Sequence, residues 1–405
     1  MNCRHCNKNL KHTFLDLGNA PPSNAYLSKA ELNQPEIYYP LKIKVCDQCW
    51  LVQTEDYANA ETFFRPDYAY FSSTSSSFLS HAKDFSNKII KDLYLNENSH
   101  VVEVASNDGY LLKNFVEKKI PCLGIEPTKG TAEAAEKLNI PVITKFFGKA
   151  LSKQLCDEGK QADLIIGNNV YAHVPDINDF TKGLKVLLKV GGTITLEFPH
   201  LLNLIKLTQF DTVYHEHFSY LSLHTVSNIF STFGLRVWNV EKIPTHGGSL
   251  RIYGCHENDK RITKKTVKIL LEEEIACKLQ KLETYLNFQS KADKIKDELN
   301  LFLIKKKKNG KKVVAYGAAA KGNTLLNFAG IKADLISVVF DASKSKQRQY
   351  MPGSHIPIQD PKKIDNFKPD YAIILPWNIY KEIKSNIDNY SSKNIILKNI
   401  NDFKN

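Results

Sequence analysis

The sequence predicts an α/β protein in which a doubly wound, Rossmann-like core is flanked by an N-terminal cysteine-knuckle domain and a C-terminal α/β domain of related pattern. Three observations predict this. Apolar strand-like runs alternate with amphipathic helical stretches from residue 99 to about 255, the alternation resumes after residue 309, and two CxxC pairs stand before residue 50. Such alternation implies a parallel sheet covered by helices, with ligands beyond the carboxyl ends of its strands. A chain of 405 residues exceeds what one core serves. It divides into 1–60, 61–257, a helical connector at 258–308, and 309–405.

Composition narrows the class. With 42% hydrophobic and 24% charged residues and no apolar run long enough for a membrane span, the chain reads as soluble. The opening MNCRHC has no apolar leader, which points to the cytoplasm. A net charge of +12 suits an anionic partner, either a nucleic acid or a phosphate-bearing small molecule. Much of that charge is KKKKNGKK at 305–312, which lacks the interleaved aromatics that stack bases and reads as a solvated run between domains. Basic residues do not gather around the knuckles either, so a small anionic partner is favoured over nucleic acid.

In the first unit, Cys3 and Cys6 are separated from Cys46 and Cys49 by 39 residues. Two tight turns of this kind converge on a tetrahedral Zn²⁺, and four thiolates leave no open position for water or substrate, so the zinc is structural. Eight cysteines without an export signal read as thiols or metal ligands. The following stretch, ETFFRPDYAYFSSTSSSFLS, is polar and aromatic and leads into the amphipathic HAKDFSNKIIKDLYL. Tyr68 and Tyr70 there suit either a lid over a polar ligand or a plain linker.

The centre of the chain is VVEVASNDGYLL, residues 101–112. Glu103, Ala105, Asn107 and Gly109 mark a buried strand that ends in an acid and turns through small residues, which lets the backbone approach a nucleotide-like ligand. CLGIEPT then ends a second strand in Glu126, placed to take both hydroxyls of a ribose. A third strand, ADLIIGNN, delivers Asn168, and His173 follows on the loop NNVYAHVPD. Farther on, TVYHEHFSYLS packs Tyr214, His215, Glu216, His217 and Tyr220 together, but HExxH is absent because Ser219 stands at the last position. Histidine beside a carboxylate and phenols suits acid and base chemistry.

After the lysine run, VVAYGAAAKGNTLLNF, ISVVFDAS and PDYAIILPWN repeat the strand signals. GAAAKGNT fits neither GxGxxG nor GxxxxGK[ST], which leaves NAD a weak alternative, while Lys321 near a helix N-terminus still suits a phosphate.

Taken in order, the CxxC pairs, EVASNDGYLL, GIEPT, NNVYAHVPD, YHEHFSYLS, HGGSLR and AYGAAAKGNTLLNF make the chain resemble the zinc-containing, S-adenosylmethionine-dependent sugar C-methyltransferases, over nearly its whole length. The resemblance implies a C-methyltransferase that acts beside the ketone of a nucleotide-linked keto-deoxysugar in branched-sugar biosynthesis. O- or N-methylation of a related sugar is the nearest alternative. It implies a methyl-donor site at Glu103, Ala105, Asn107, Gly109, Glu126 and Asn168. Catalysis falls to His217 as base, with Glu216, Tyr214, His173 and Tyr68, and substrate contacts to Tyr70, His246, Arg251, Lys321 and Asn323. The turn departs from the commoner glycine-rich form at Ala105 and Asn107, as this family does.

Overall fold

The computed structural model describes residues 1–57, 71–391 and 395–404. At the N-terminus, β1 (His12–Ala20), β2 (Tyr39–Val45) and β3 (Val52–Thr54) form an antiparallel sheet. Its fourth strand is β9 (Ser219–Tyr220), which comes from the central part of the chain and pairs with β3. The segment that carries the histidine cluster is thereby stitched to the N-terminal sheet.

The central sheet takes β4 (Val101–Val104), β5 (Cys122–Ile125), β6 (Val142–Ile143), β7 (Ala162–Asn168) and β8 (Leu188–Pro199), all parallel, and ends in the hairpin β10 (Leu235–Ile243) and β11 (Ser249–His256). β11 runs antiparallel to β8, and the spatial order is β6-β5-β4-β7-β8-β11-β10. The order reverses between β4 and β7, so a crevice opens beyond their carboxyl ends. All four residues of β4 are buried, as expected of a strand covered on both faces. This strand order is that of a Rossmann-like, doubly wound sheet with an antiparallel edge.

The C-terminal sheet is fully parallel: β12 (Val313–Tyr316), β13 (Val339–Phe340), β14 (Ile358–Gln359), β15 (Tyr371–Ile374) and β16 (Ile396–Asn399), in the order β14-β13-β12-β15-β16. It has its own reversal between β12 and β15. Helices Lys265–Ala276, Leu282–Leu286 and Phe288–Lys308 connect it to the centre. Lys305, Lys306, Lys307 and Lys308 form the last turn of the long helix, where cations meet the negative end of its dipole.

The hydrophobic cores do not follow the boundaries read from the sequence. Phe14 and Leu41 of the N-terminal sheet share one core with Phe210, Phe288 and Val313. Cys3, Cys46 and Cys49 share another with Val102 and Val226 of the central domain. Burial of this kind, at roughly 25 cal/mol per Å² of apolar surface, ties the three parts together.

Candidate active site

A cavity of about 590 Å³ opens at the carboxyl ends of β4, β5 and β7 and extends to the N- and C-terminal domains. At one end lies the turn after β4. Ala105 and Asn107 take left-handed conformations, with φ of 57° and 50°. Glycine adopts this region freely, asparagine tolerates it and alanine is strained there by about 1 kcal/mol. The departure from a glycine-rich turn therefore changes the residues and keeps the backbone. The Asn107 N–H donates to Glu126 Oε2 at 2.9 Å, and the Thr128 N–H donates to Glu126 Oε1 at 2.9 Å. Asn107 Oδ1 accepts from the Ser72 N–H at 2.9 Å, which seats the segment leading into helix Ser76–Asp92 on this turn.

Ala105, Asn107, Glu126 and Asn168 line the cavity. Asn168 Oδ1 and both polar atoms of the adjacent Asn169 side chain are buried with no hydrogen-bond partner among the described residues. Unpaired buried polar atoms in a cleft mark a place for a polar ligand. Glu103 stands behind the lining, 1% exposed, and burial, then the carboxylates of Glu126, Asp108 and Glu197, raises its pKa well above the usual range. Gly109 also stands behind it. Its φ is +76°, and a Cβ there would lie 2.5 Å from Ile140 Cδ1, so this glycine serves turn geometry and packing.

At the other end, His173, Tyr214, Glu216, His217 and His246 meet. The His217 ring lies 3.9 Å from that of Tyr214 and 4.6 Å from that of His173. His217 Nδ1 is 2.9 Å from the Thr212 carbonyl, so Nδ1–H donates and Nε2 keeps the lone pair. Burial, and then His173, push the His217 pKa well below its usual value, which keeps the imidazole neutral. Both Glu216 oxygens accept from Asn24. His215 points elsewhere, its Nε2 being 3.2 Å from the Tyr39 carbonyl. Lys321 and Lys346 enter from the C-terminal domain, and desolvation pushes the Lys321 pKa down to about 8. An anion beside it would raise that value again.

Two expected substrate contacts lie outside the cavity. The β8–β11 register pairs Arg251 with Glu197, and the buried guanidinium donates to that carboxylate from Nε at 2.6 Å while lying 4.4 Å above the Phe85 ring. Its donors are used in the core beneath helix Ser76–Asp92, where His81 also meets Glu197 at 3.0 Å. Asn323 is 1% exposed and donates from Nδ2 to the Ser23 carbonyl at 2.6 Å. Tyr68 and Tyr70 lie outside the described residues. Sequence reading missed Asn24, Asn169 and Lys346.

Residues 3–64 match a family described as a zinc binding domain, residues 78–240 one described as a methyltransferase domain, and residues 244–397 one described as the C-methyltransferase C-terminal domain. The chain is also 29% identical over 384 residues to the C-methyltransferase NovU of Streptomyces niveus, across 95% of this chain and 91% of that protein. The chain is an S-adenosylmethionine-dependent C-methyltransferase with a zinc-binding domain. Part of the chain also aligns with a protein of Pyrococcus horikoshii, at 14% identity, 46% of this chain, 94% of that one and a TM-score of 0.38. A magnesium protoporphyrin IX methyltransferase of Synechocystis gives 15%, 44%, 82% and 0.36. The strand order carries the fold independently of these alignments.

This C-methyltransferase holds four thiols that fit a zinc ion. The Sγ atoms of Cys3, Cys6, Cys46 and Cys49 all lie within 4.8 Å of one another, with Cys3 to Cys49 and Cys6 to Cys46 at 3.5 Å. Tetrahedral zinc with bonds of about 2.3 Å needs sulfurs roughly 3.8 Å apart. The two knuckles share one geometry: the Asn7 N–H returns to the Cys3 carbonyl and the Trp50 N–H to the Cys46 carbonyl, both at 3.0 Å, with Asn7 and Trp50 left-handed.

The buried histidines give the enzyme an acid limit. Burial holds His173 and His246 at about 4, against the usual 6.5. The unfolded chain therefore takes protons first, and stability present above pH 6.5 is lost as pH falls toward 4. Both side chains line the open cavity, where solvent screens part of this effect, so the loss is on the order of 2 kcal/mol for each. The thermal midpoint should fall across this window, and His246→Gln should flatten the slope; equal slopes in the two proteins would contradict the assignment.

Proposed function

We propose that the enzyme deprotonates a carbon next to the ketone of a nucleotide-linked keto-deoxysugar, of dTDP or GDP type, and methylates that carbon in the biosynthesis of a branched sugar. What supports this reading above all is one cavity bounded by the Asn107–Glu126 turn, the His217 cluster and two lysines of the C-terminal domain. Asn107, Glu126 and Asn168 would hold the methyl donor, which when bound supplies an electrophilic sulfonium methyl. A carbon beside a ketone is acidic because its carbanion is an enolate, so the site needs a base on the C–H and donors at the carbonyl oxygen. His217 Nε2 takes the proton. The Tyr214 hydroxyl and His173 stabilise the oxyanion, and Glu216 orients the sugar. Lys321 and Lys346 meet the phosphates.

Of the remaining proposals, His246 contacts the sugar nucleotide, and the residue ranges 1–60, 61–257, 258–308 and 309–405 serve as domains. The work is done in the cytoplasm, where zinc-bound thiols stay reduced. The test is incubation with labelled S-adenosylmethionine and a panel of dTDP- and GDP-linked 4-keto-deoxysugars. Label on a ring carbon, read by NMR, is the expected result. Label on oxygen or nitrogen, or on none of the sugars, would overturn the proposal.

A further inference from the structure

We propose that Asn24, carried on the loop between β1 and β2 of the zinc-binding domain, is a positioning residue that fixes the Glu216 carboxylate in the active site. Its Nδ2 lies 2.9 Å from Glu216 Oε1 and 2.8 Å from Oε2, and both residues line the cavity. Glu216 is 2% exposed, so little water competes with the amide for its oxygens. A carboxylate only accepts hydrogen bonds, and one NH₂ group placed against both oxygens fixes its plane.

The loop reaches this position because the C-terminal domain holds it on either side of Asn24. The Ser23 carbonyl accepts from Asn323 Nδ2 at 2.6 Å, and the Tyr26 hydroxyl donates to the Ala318 carbonyl at 2.5 Å. Leu27 and Tyr350 exchange backbone hydrogen bonds at 3.0 and 2.8 Å. A residue of the first domain, anchored by the last, therefore sets a side chain of the central one. This also gives buried Asn323 its place, one residue from Asn24 and outside the cavity. Among the described residues, the titratable groups that share the cavity with Glu216 include His173, Tyr214 and His217 of the central domain and Lys321 and Lys346 of the C-terminal domain, while Tyr26 on the loop feels Glu216, Lys346 and Asp341.

The inference rests on the reading of Glu216 as part of the reaction site, and the test separates the two. Methyl transfer is measured from labelled S-adenosylmethionine to the dTDP- or GDP-linked 4-keto-deoxysugar that accepts label, for wild type, Asn24→Ala, Asn24→Asp, Glu216→Gln and the double variant Asn24→Ala/Glu216→Gln. Asn24→Ala should lower kcat by about 10- to 100-fold, the scale of one hydrogen bond to a charged group, with the KM for S-adenosylmethionine changed less than about twofold. Asn24→Asp keeps the shape and sets two carboxylates together, so its activity should recover as pH falls and the pair holds one proton. Asn24→Ala should show no such recovery. In the Glu216→Gln background, Asn24→Ala should cost nothing further.

Wild-type kcat in Asn24→Ala beside an impaired Glu216→Gln overturns the inference alone. Full activity in Glu216→Gln overturns the reading of Glu216 on which it rests. Should Asn24→Ala fail to fold, Asn24→Asp decides: a pH profile parallel to that of wild type counts against positioning.

Discussion

His217→Asn is expected to lower methyl transfer by about 10² to 10⁴ while leaving the affinity for S-adenosylmethionine unchanged. The substitution is chosen for what it keeps. Nδ1–H of His217 donates to the Thr212 carbonyl at 2.9 Å, and the asparagine amide can make the same bond. What it lacks is the basic nitrogen that Nε2 supplies. The end of the cavity proposed for the methyl donor, at Asn107, Glu126 and Asn168, is built on other strands, so donor binding has no reason to change. Burial and the neighbouring His173 disfavour the imidazolium, so His217 as the proposed base is already neutral near pH 7, and the wild-type rate should fall on the acid side. Steady-state rates with labelled donor and calorimetric titration of S-adenosylmethionine check both halves. Normal turnover would remove His217 from the base role, and a matching loss of donor affinity would mean that the loop had collapsed.

Local chemistry was legible in the sequence where one short stretch carries it whole. The CxxC pairs bring four thiols together, Glu126 at the end of β5 and His217 of YHEH both line the cavity, and alternation of strand and helix sufficed for the central and C-terminal sheets. What stayed hidden depends on distant parts of the chain. Asn24 meets Glu216 across 192 positions, and no periodicity in LDLGNAPPSNAYL marks it. Lys346 reaches the cavity from a loop whose position is set by the packing of a separate sheet. Arg251 shows the opposite failure: its motif suggested a ligand contact, but the antiparallel register sets it opposite Glu197, where its charge is satisfied internally. Gly109 belongs to a turn whose Ala105 and Asn107 line the cavity, while its own role is to let the chain pass Ala135 and Ile140.

Removal of zinc, or Cys46→Ser, should cost the fold first and the activity with it. Structural zinc in finger peptides contributes roughly 10–16 kcal/mol at pH 7, as large as the roughly 5–15 kcal/mol that holds a typical domain together. The loss would not stay local here. Arg4, between the first two cysteines, donates to the Pro175 carbonyl at 3.2 Å. Asn178 Nδ2 donates to the carbonyls of Arg4 and His5 at 3.1 and 2.9 Å. Those contacts brace the loop that bears His173 and Val174 to Asp176, which line the cavity. A loosened knuckle should therefore weaken donor binding and methyl transfer together, in step with a thermal midpoint lowered by more than about 10 °C. Metal analysis, circular dichroism and rate measured on the same chelated sample distinguish this from zinc chemistry at the reacting atoms. Four thiolates leave the ion no open position, so activity should track the folded fraction. A zinc-free enzyme that keeps its melting temperature and loses turnover would refute the structural role.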